Sequence, residues 1–235
     1  MKKIGIIGAM DEEVEILKQK MILTTLSKKA SMEFMEGSLS DCQVVIVRSG
    51  IGKVNAAVCT QILIDDFGID GIINTGVAGS LKNEIDIGDI VLSSDTLQHD
   101  MDARGFGYDA GIIPRMDRSV FEADPEMVRL AKAVNESVNP DIHTFVGRIV
   151  SGDQFISAAD KKNFIRNTFH GYCTEMEGAA IAQAAWLNGI PFLIIRAISD
   201  KADHSAEMDY SEFEAKAIEH TVRLVTGLVL KLSKY

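Results

Sequence analysis

A chain of 235 residues, of which 46% are hydrophobic, is long enough to bury a substantial core, and no stretch of it resembles an interdomain linker. We therefore expect residues 1–235 to form a single domain. A net charge of −10 and a pI near 5.0 argue against nucleic acid and anionic membranes as partners, because both require clustered Lys and Arg.

The cysteines and the N-terminus indicate a cytoplasmic protein. Cys42, Cys59 and Cys173 lack C-x-x-C spacing, which predicts reduced thiols in the core. The apolar run after the N-terminal lysines is short and ends at Asp11 without a cleavage site, so it predicts a strand rather than a signal peptide. No apolar stretch approaches the roughly eighteen residues of a membrane span.

The chain begins with a predicted strand and an acidic helix start. Lys3–Ala9 is largely apolar and ends in small residues, which is typical of a strand buried on both faces. The next helix opens with the three acids Asp11–Glu13, and consecutive helical positions point about 100° apart. We therefore expect one acid to face a cleft at the strand's carboxyl end, while the others favour the helix dipole.

A hairpin and a glycine-rich turn follow. Met32–Gly37 and Cys42–Arg48 have the composition of paired strands, and a helix is predicted from Val54 to Phe67. The intervening Ser49–Asn55 satisfies neither the dinucleotide fingerprint nor the phosphate-loop motif. Its small residues allow the backbone to approach either a ligand or a neighbouring strand.

The middle of the chain predicts an α/β fold. Gly71–Ser80 is read as a strand that ends in a turn from Gly76, and Asp89–Ser93 as a further strand. Strands that alternate with helices indicate a largely parallel sheet covered on both faces, with ligands beyond the carboxyl ends of the strands.

Residues Gln98–Arg118 are polar and rich in glycine, which predicts a long loop that acts as a lid or a contact surface. His99 lies beside Asp100 and Asp102, but no second histidine has metal-ligand spacing. We therefore expect no metal site.

The C-terminal half brings further residues to the same edge of the sheet. A helix is predicted over Pro125–Ser137, and a strand over His143–Ser151 leads to Phe155, for which core packing is favoured on general grounds over stacking on a base. The apolar strand Phe192–Ile198 contains Arg196 and is followed by Asp200, and the last helix is predicted over Tyr210–Leu232.

Glu175 and Glu177 lie where the short strand Gly171–Thr174 gives way to an alanine-rich helix over Met176–Leu187. Two interpretations remain open for these acids. They favour the positive end of the helix dipole, or a carboxylate binds the hydroxyls of a sugar whose ring becomes cationic during the reaction.

Six short motifs follow one another along the chain: Gly5–Val14, Ser49–Val54, Asn74–Gly76, Val150–Asp153, Glu175–Glu177 and Arg196–Asp200. Together they resemble the purine nucleoside phosphorylase and uridine phosphorylase superfamily, and within it the 5′-methylthioadenosine/S-adenosylhomocysteine nucleosidases. The resemblance covers nearly the whole chain. It implies a three-layer α/β/α fold around a central mixed, largely parallel twisted sheet, a homodimer without a cofactor, and a small-molecule nucleoside as substrate.

The resemblance also implies the reaction, which is hydrolysis of the bond between adenine and ribose. Glu13 would activate water, Asp200 would protonate adenine N7, and Glu177 with Met176 would bind the ribose hydroxyls. A leaving adenine needs a proton, and a general acid typically contributes about 10²- to 10⁴-fold to the rate.

Further substrate contacts implied by the resemblance lie in several loops and strand ends. Phe155 would stack on adenine, Ile156 would contact it through the backbone, and Phe106 and Pro114 would close the alkylthio pocket of the partner subunit. The remaining positions are Met10, Ile51, Gly79, Ser199 and Tyr210. Val77 replaces a small polar residue of the family, and Asp11 replaces a more usual Glu.

Three alternatives remain. A phosphorylase of the same fold needs cationic groups for phosphate, whereas Asp11–Glu13 are acidic and Asn74 stands where phosphorylases usually carry Arg. A hydrolase of futalosine or adenosine monophosphate is a second possibility. A catalytically silent binding protein is the third, against which the presence of Glu13 and Asp200 argues.

Overall fold

A computed structural model describes residues 1–202 and 206–234, and the backbone alone of residues 206–212. Ten strands in this part of the chain form one sheet. They are β1 (Lys3–Gly8), β2 (Ile22–Lys29), β3 (Met32–Leu39), β4 (Cys42–Arg48), β5 (Gly71–Ser80), β6 (Ile90–Gln98), β7 (Phe121–Glu122), β8 (Thr144–Ser151), β9 (Cys173–Glu175) and β10 (Phe192–Asp200).

The helices alternate with these strands as the sequence predicts for an α/β fold. They are α1 (Asp11–Lys20), α2 (Lys53–Phe67), α3 (Pro125–Val138), α4 (Ala159–Phe169), α5 (Gly178–Leu187) and α6 (Ala206–Leu232). A single 3-10 turn at Arg104–Phe106 interrupts the long loop after β6. No helix of the described chain is long and apolar enough to cross a bilayer.

The sheet is mixed and closes on itself at one end. Strands β4, β1, β5 and β10 are parallel neighbours, and β2 and β3 extend this group as antiparallel strands. Strands β6, β8 and β9 form a second parallel group, which joins β10 and β5 in antiparallel pairs. The circuit β5-β10-β6-β8-β9 therefore has no free edge, which the sequence analysis did not predict.

Helices cover both faces of the sheet, which confirms the three-layer arrangement. Gly5 and Gly8 lie three positions apart on β1, so their Cα–H groups point to opposite faces. A Cβ on Gly5 would be 3.2 Å from Leu63 of α2, whereas a Cβ on Gly8 would be 2.6 Å from Val14 of α1. The absence of side chains at both positions lets the two helices approach the strand closely.

Several predicted elements differ from the structure. The predicted turn at Gly76–Ser80 is wrong, because β5 continues to Ser80 and pairs with β10 and β9 there. The helix after β9 begins at Gly178 rather than at Met176, which leaves Glu177 as its N-cap residue. The sequence analysis missed β2, whose side chains are almost all exposed, together with α4 and the two-residue strand β7.

The three cysteines lie in the core as free thiols. Burial raises the pKa of Cys59 to about 12, so this thiol is inert at neutral pH. Burial also raises the pKa of Cys173, which lies on β9 next to the carboxylates described below. Among the described residues, no group of three His, Cys, Asp or Glu side chains has the arrangement needed to hold a metal ion.

Candidate active site

A cavity of about 220 Å³ lies where β1, β5, β9 and β10 end and α1 and α5 begin. Its walls are mostly apolar, but four acids from strand or helix ends line it, namely Glu13, Glu175, Glu177 and Asp200. The described lining residues are Ala9, Met10, Glu13, Ile51, Val77, Ala78, Gly79, Gln154, Phe155, Ile156, Thr174, Glu175, Met176, Glu177, Ser199 and Asp200.

Glu13 is held by backbone donors from two strand ends. Its Oε2 accepts hydrogen bonds from the N–H groups of Ala9 at 2.7 Å and Met10 at 3.1 Å, and its Oε1 accepts one from Val77 N–H at 3.1 Å. A side chain at Gly76 would collide with this carboxylate, so the glycine makes room for it. Burial raises the pKa of Glu13 despite these donors.

Glu177 lies at the start of α5 and faces the glycine-rich turn before α2. Its Oε1 accepts a hydrogen bond from Gly52 N–H at 2.8 Å. Burial, followed by the charge of Glu175, raises the pKa of Glu177 to about 8. The carboxyl is only 6% exposed, so its ionised form needs every donor that the site supplies.

Asp200 ends β10 directly opposite Gly79 of β5. Its Oδ1 accepts a hydrogen bond from Ala202 N–H at 2.7 Å, and its Oδ2 accepts one from the Ser199 hydroxyl at 2.9 Å. A Cβ at Gly79 would be 2.7 Å from Asp200 Oδ1, so the glycine leaves space beside the acid. These contacts hold the carboxyl group in place at the cavity wall.

A buried ion pair lies beneath the cavity. Arg196 of β10 is bonded to Glu175 of β9, and its guanidinium also donates to Asn74 Oδ1 at 2.6 Å. Glu175 further accepts hydrogen bonds from the Ser151 hydroxyl and from Gly178 N–H. Burial opposes ionisation of Glu175, but Arg196 and these donors outweigh it and lower the pKa of the carboxyl.

The ion pair separates the roles of the two acids of the Glu175-Met176-Glu177 motif. Glu175 uses both oxygens within the protein, including on the first N–H groups of α5, so it behaves as a structural helix-start acid. Glu177 keeps one oxygen on Gly52 and lines the cavity. The sequence analysis left the two interpretations open for both acids, and the hydrogen bonds of Glu175 fit the helix-start interpretation.

Ten of the residues singled out from the sequence meet in this one cavity: Met10, Glu13, Ile51, Gly79, Phe155, Ile156, Met176, Glu177, Ser199 and Asp200. Phe155 is 51% exposed, so the general expectation of core packing is wrong for it. Phe106 and Pro114 lie in the loop after β6 and do not line the cavity of their own chain, and Phe106 is 87% exposed. The side chain of Tyr210 lies outside the described residues.

The sequence analysis did not identify all of the lining residues. Val77 was noted only as a departure from a family pattern, yet its N–H orients Glu13. Thr174 and Gln154 also line the cavity. Arg196 was the one charged residue in an otherwise apolar strand, and that exception was the available signal for a buried ion pair.

Comparisons with known proteins agree with this geometry. Residues 3–230 match the model of the phosphorylase superfamily. The chain is 41% identical over 233 residues to a 5′-methylthioadenosine/S-adenosylhomocysteine nucleosidase of Exiguobacterium sp., with 99% of each chain covered.

Solved structures are similar over almost the same length. The nucleosidase of Neisseria meningitidis in complex with methylthio-immucillin-A superposes with a TM-score of 0.94 at 36% identity, covering 98% of this chain and 100% of that one. A futalosine hydrolase of Helicobacter pylori superposes with a TM-score of 0.92 at 32% identity, covering 98% of both chains. The chain therefore belongs to the phosphorylase superfamily and, within it, to the 5′-methylthioadenosine/S-adenosylhomocysteine nucleosidase family.

The Arg196→Met substitution tests the buried ion pair. It leaves Glu175 buried without its cation, so we expect the free energy of unfolding to fall by about 3 to 5 kcal/mol in urea titrations. Lys28→Met, which removes an exposed 2.6 Å pair with Glu33, should cost far less, because exposed ion pairs contribute little to stability. Equal losses in the two variants would show that the buried pair contributes no more than a surface pair.

Glu177→Gln tests the raised pKa through the pH dependence of stability. The pKa of Glu177 is about 8 in the folded protein, against the ordinary value of 4.5 in the unfolded chain. The group therefore contributes stability that is fully present below pH 4.5 and is lost as the pH rises to about 8. The variant should therefore gain about 2 kcal/mol or more over the parent protein between pH 5 and pH 9, measured by thermal melting. Glu33→Gln is the control, since the Lys28 ammonium lowers the pKa of the exposed Glu33. A constant difference between Glu177→Gln and the parent would contradict the assignment.

Proposed function

We propose that the protein is an N-glycosyl hydrolase that converts 5′-methylthioadenosine and S-adenosylhomocysteine to adenine and the corresponding thioribose. The observation that carries this proposal is the meeting of Glu13 and Asp200, from the ends of different strands, in one largely apolar cavity. Membership of the nucleosidase family supports the same substrates. By the same reasoning the enzyme acts in the cytoplasm, in methionine salvage, without a cofactor.

In the proposed reaction the bond between adenine N9 and the anomeric carbon breaks as water adds to that carbon. Asp200 donates a proton to N7, so that adenine leaves as a neutral molecule. Glu13 accepts a proton from the attacking water, and its raised pKa supports this role. The two proton transfers balance, and exchange with solvent returns both acids to their starting states.

Glu177 is proposed to bind the ribose hydroxyls as a carboxylate, with Met176 beside it. One of its oxygens already accepts from Gly52, which leaves the other available on the cavity side. Its negative charge would also stabilise the ring as it becomes cationic. Phe155 is proposed to stack on the base, Ile156 to contact it through the backbone, and Ile51, Met10, Gly79 and Ser199 to line the rest of the substrate.

The cavity does not suit a phosphorylase. A phosphate dianion requires cationic or multiple N–H donors, and none of the described lining residues is Lys or Arg. The first loop contributes Glu13 instead, whose backbone donors are already used. Similarity to a futalosine hydrolase leaves that nucleoside as a candidate additional substrate, together with 5′-deoxyadenosine.

We also propose that the enzyme works as a homodimer. Exposed apolar side chains on neighbouring α2 and α5 form a patch of Val54, Val58 and Leu187, with Val54 75% and Leu187 62% exposed. The long loop after β6 adjoins this patch, because Gln183 of α5 bonds to Gln98 and Met116 at the two ends of the loop. Phe106 and Pro114 in that loop, together with Tyr210, are proposed to complete the alkylthio pocket in the dimer.

Asp200→Asn and Glu13→Gln test the assigned proton transfers. Asp200→Asn keeps the shape of the acid but delivers no proton, so kcat for adenine release should fall by about 10² or more. Glu13→Gln should lose turnover to a similar degree, because no base activates the water. Near-normal turnover in either variant, with melting temperature measured in parallel, would end the assignment of that residue.

Val54→Asp tests the proposed dimer. A charge in the middle of the patch should convert the protein to a monomer in sedimentation velocity experiments and lower activity with it, because Phe106 of the partner subunit would no longer reach the cavity. Leu23→Asp on the edge strand β2 introduces the same charge outside the patch and should leave the dimer intact. A parent protein that is fully active as a monomer would contradict the proposal.

A further inference from the structure

Three segments that are far apart in the sequence meet beside the cavity, next to its lining residues Ile51 and Gln154. They are the turn before α2 at Gly52 and Lys53, the end of β6 at Gln98 with the adjoining Asp100, and the turn after β8 at Asp153. Lys53 Nζ donates to Asp100 Oδ1 at 2.6 Å and to Gln98 Oε1 at 2.9 Å. Asp153 N–H donates to Asp100 Oδ2 at 3.0 Å, and Lys53 N–H donates to Asp153 Oδ1 at 2.8 Å.

We propose that Lys53, Asp100 and Asp153 form a clamp that positions Gly52 N–H on Glu177, and that this clamp is a positioning device for binding the nucleoside's sugar. The clamp residues do not line the cavity, so none of them is proposed to touch substrate. The inference rests on the proposed function, in which Glu177 binds the ribose hydroxyls as a carboxylate.

The clamp restrains Gly52 through Lys53, the next residue in the chain. Gly52 has φ of +97°, a conformation that few other residues adopt, and the next N–H along the chain is fixed on Asp153. A Cβ at Gly52 would lie 3.2 Å from Asp153 Oδ1, so the turn lies directly against the clamp. Holding this turn fixes the direction in which Gly52 N–H points, which is towards Glu177 Oε1.

The clamp is stronger than an ordinary surface ion pair. The side chains of Lys53 and Asp100 are only 18% and 16% exposed, and the two oxygens of Asp100 accept from different segments. Burial opposes ionisation of Asp100, but Lys53 and the Asp153 N–H outweigh it and lower the pKa of this carboxyl. The ionised form of Asp100 is therefore favoured despite its burial.

The same contacts connect the clamp to the charge state of Glu177. Burial and the charges of Glu175 and Glu13 raise the pKa of Glu177, whereas Arg196 and the hydrogen bond from Gly52 lower it. Of these groups, only Gly52 belongs to the turn that the clamp holds. If the turn moves, Glu177 loses its backbone donor and its carboxylate becomes harder to form.

The experiment compares Lys53→Met and Asp100→Asn with the parent enzyme, and follows the carboxyl carbon of Glu177 by ¹³C NMR across a pH titration. The Glu177→Gln variant identifies the signal. Each clamp variant should raise the pKa of Glu177 by about one unit. The acidic limb of kcat/KM for 5′-methylthioadenosine should move with it, so that kcat/KM falls about tenfold near pH 6 and changes little near pH 9.

Lys29→Met is the matched control. It removes a 2.7 Å ion pair between Lys29 on the edge strand β2, which contributes nothing to the cavity, and Asp66 near the C-terminal end of α2. It should change neither the NMR titration nor the pH profile. Two clamp variants are used so that the test can still be made if one of them does not fold. An unchanged Glu177 titration, or a kcat/KM that falls equally at every pH, would overturn the clamp. The proposed function and the clamp can fail separately. If the parent protein releases no adenine, but the clamp variants still raise the pKa of Glu177, the proposed function is wrong and the clamp is supported.

Discussion

The active-site end of this fold depends on one buried cation. Arg196 is 2% exposed and lies in the centre of an otherwise apolar strand, where an unpaired guanidinium would be too costly to retain. It therefore requires Glu175 and Asn74, which come from β9 and β5, two paired strands of the closed circuit. This requirement fixes β9 against β10 and β5, and with them the start of α5, where Glu177 enters the cavity.

The charge of Arg196 also reduces the free-energy cost of burying several acids close together. Glu13, Glu175 and Glu177 are all less than 8% exposed, and burial, followed by the charge of Glu175, raises the pKa of Glu177. The Arg196 charge opposes that rise at each of the three acids. Of these three acids only Glu175 is paired with it directly, and Glu13 and Glu177 retain raised pKa values.

Much of this site was predictable from local sequence patterns. Glu13 lies in the first turn of the helix after the buried strand β1, and Asp200 ends the buried strand β10. A parallel arrangement brings such strand ends to one edge of the sheet. The closure of the sheet and the length of β5 were not predictable in the same way. The small residues from Gly76 to Ser80 have the composition of a turn, yet they continue as a strand because β9 and β10 pair with them and the adjacent acids need the space of Gly76 and Gly79. The exposed strand β2 likewise carries no alternating pattern, since only its pairing with β3 makes it a strand.

The proposed function depends on attack by water, and not by phosphate, in a cavity whose described lining residues include no Lys or Arg. The most direct test incubates the desalted protein with 5′-methylthioadenosine in phosphate-free buffer and again with excess inorganic phosphate, and identifies the sugar product by mass spectrometry and ³¹P NMR. The account predicts equal rates of adenine release and free methylthioribose in both buffers. A requirement for phosphate, or the appearance of a sugar 1-phosphate, would contradict it.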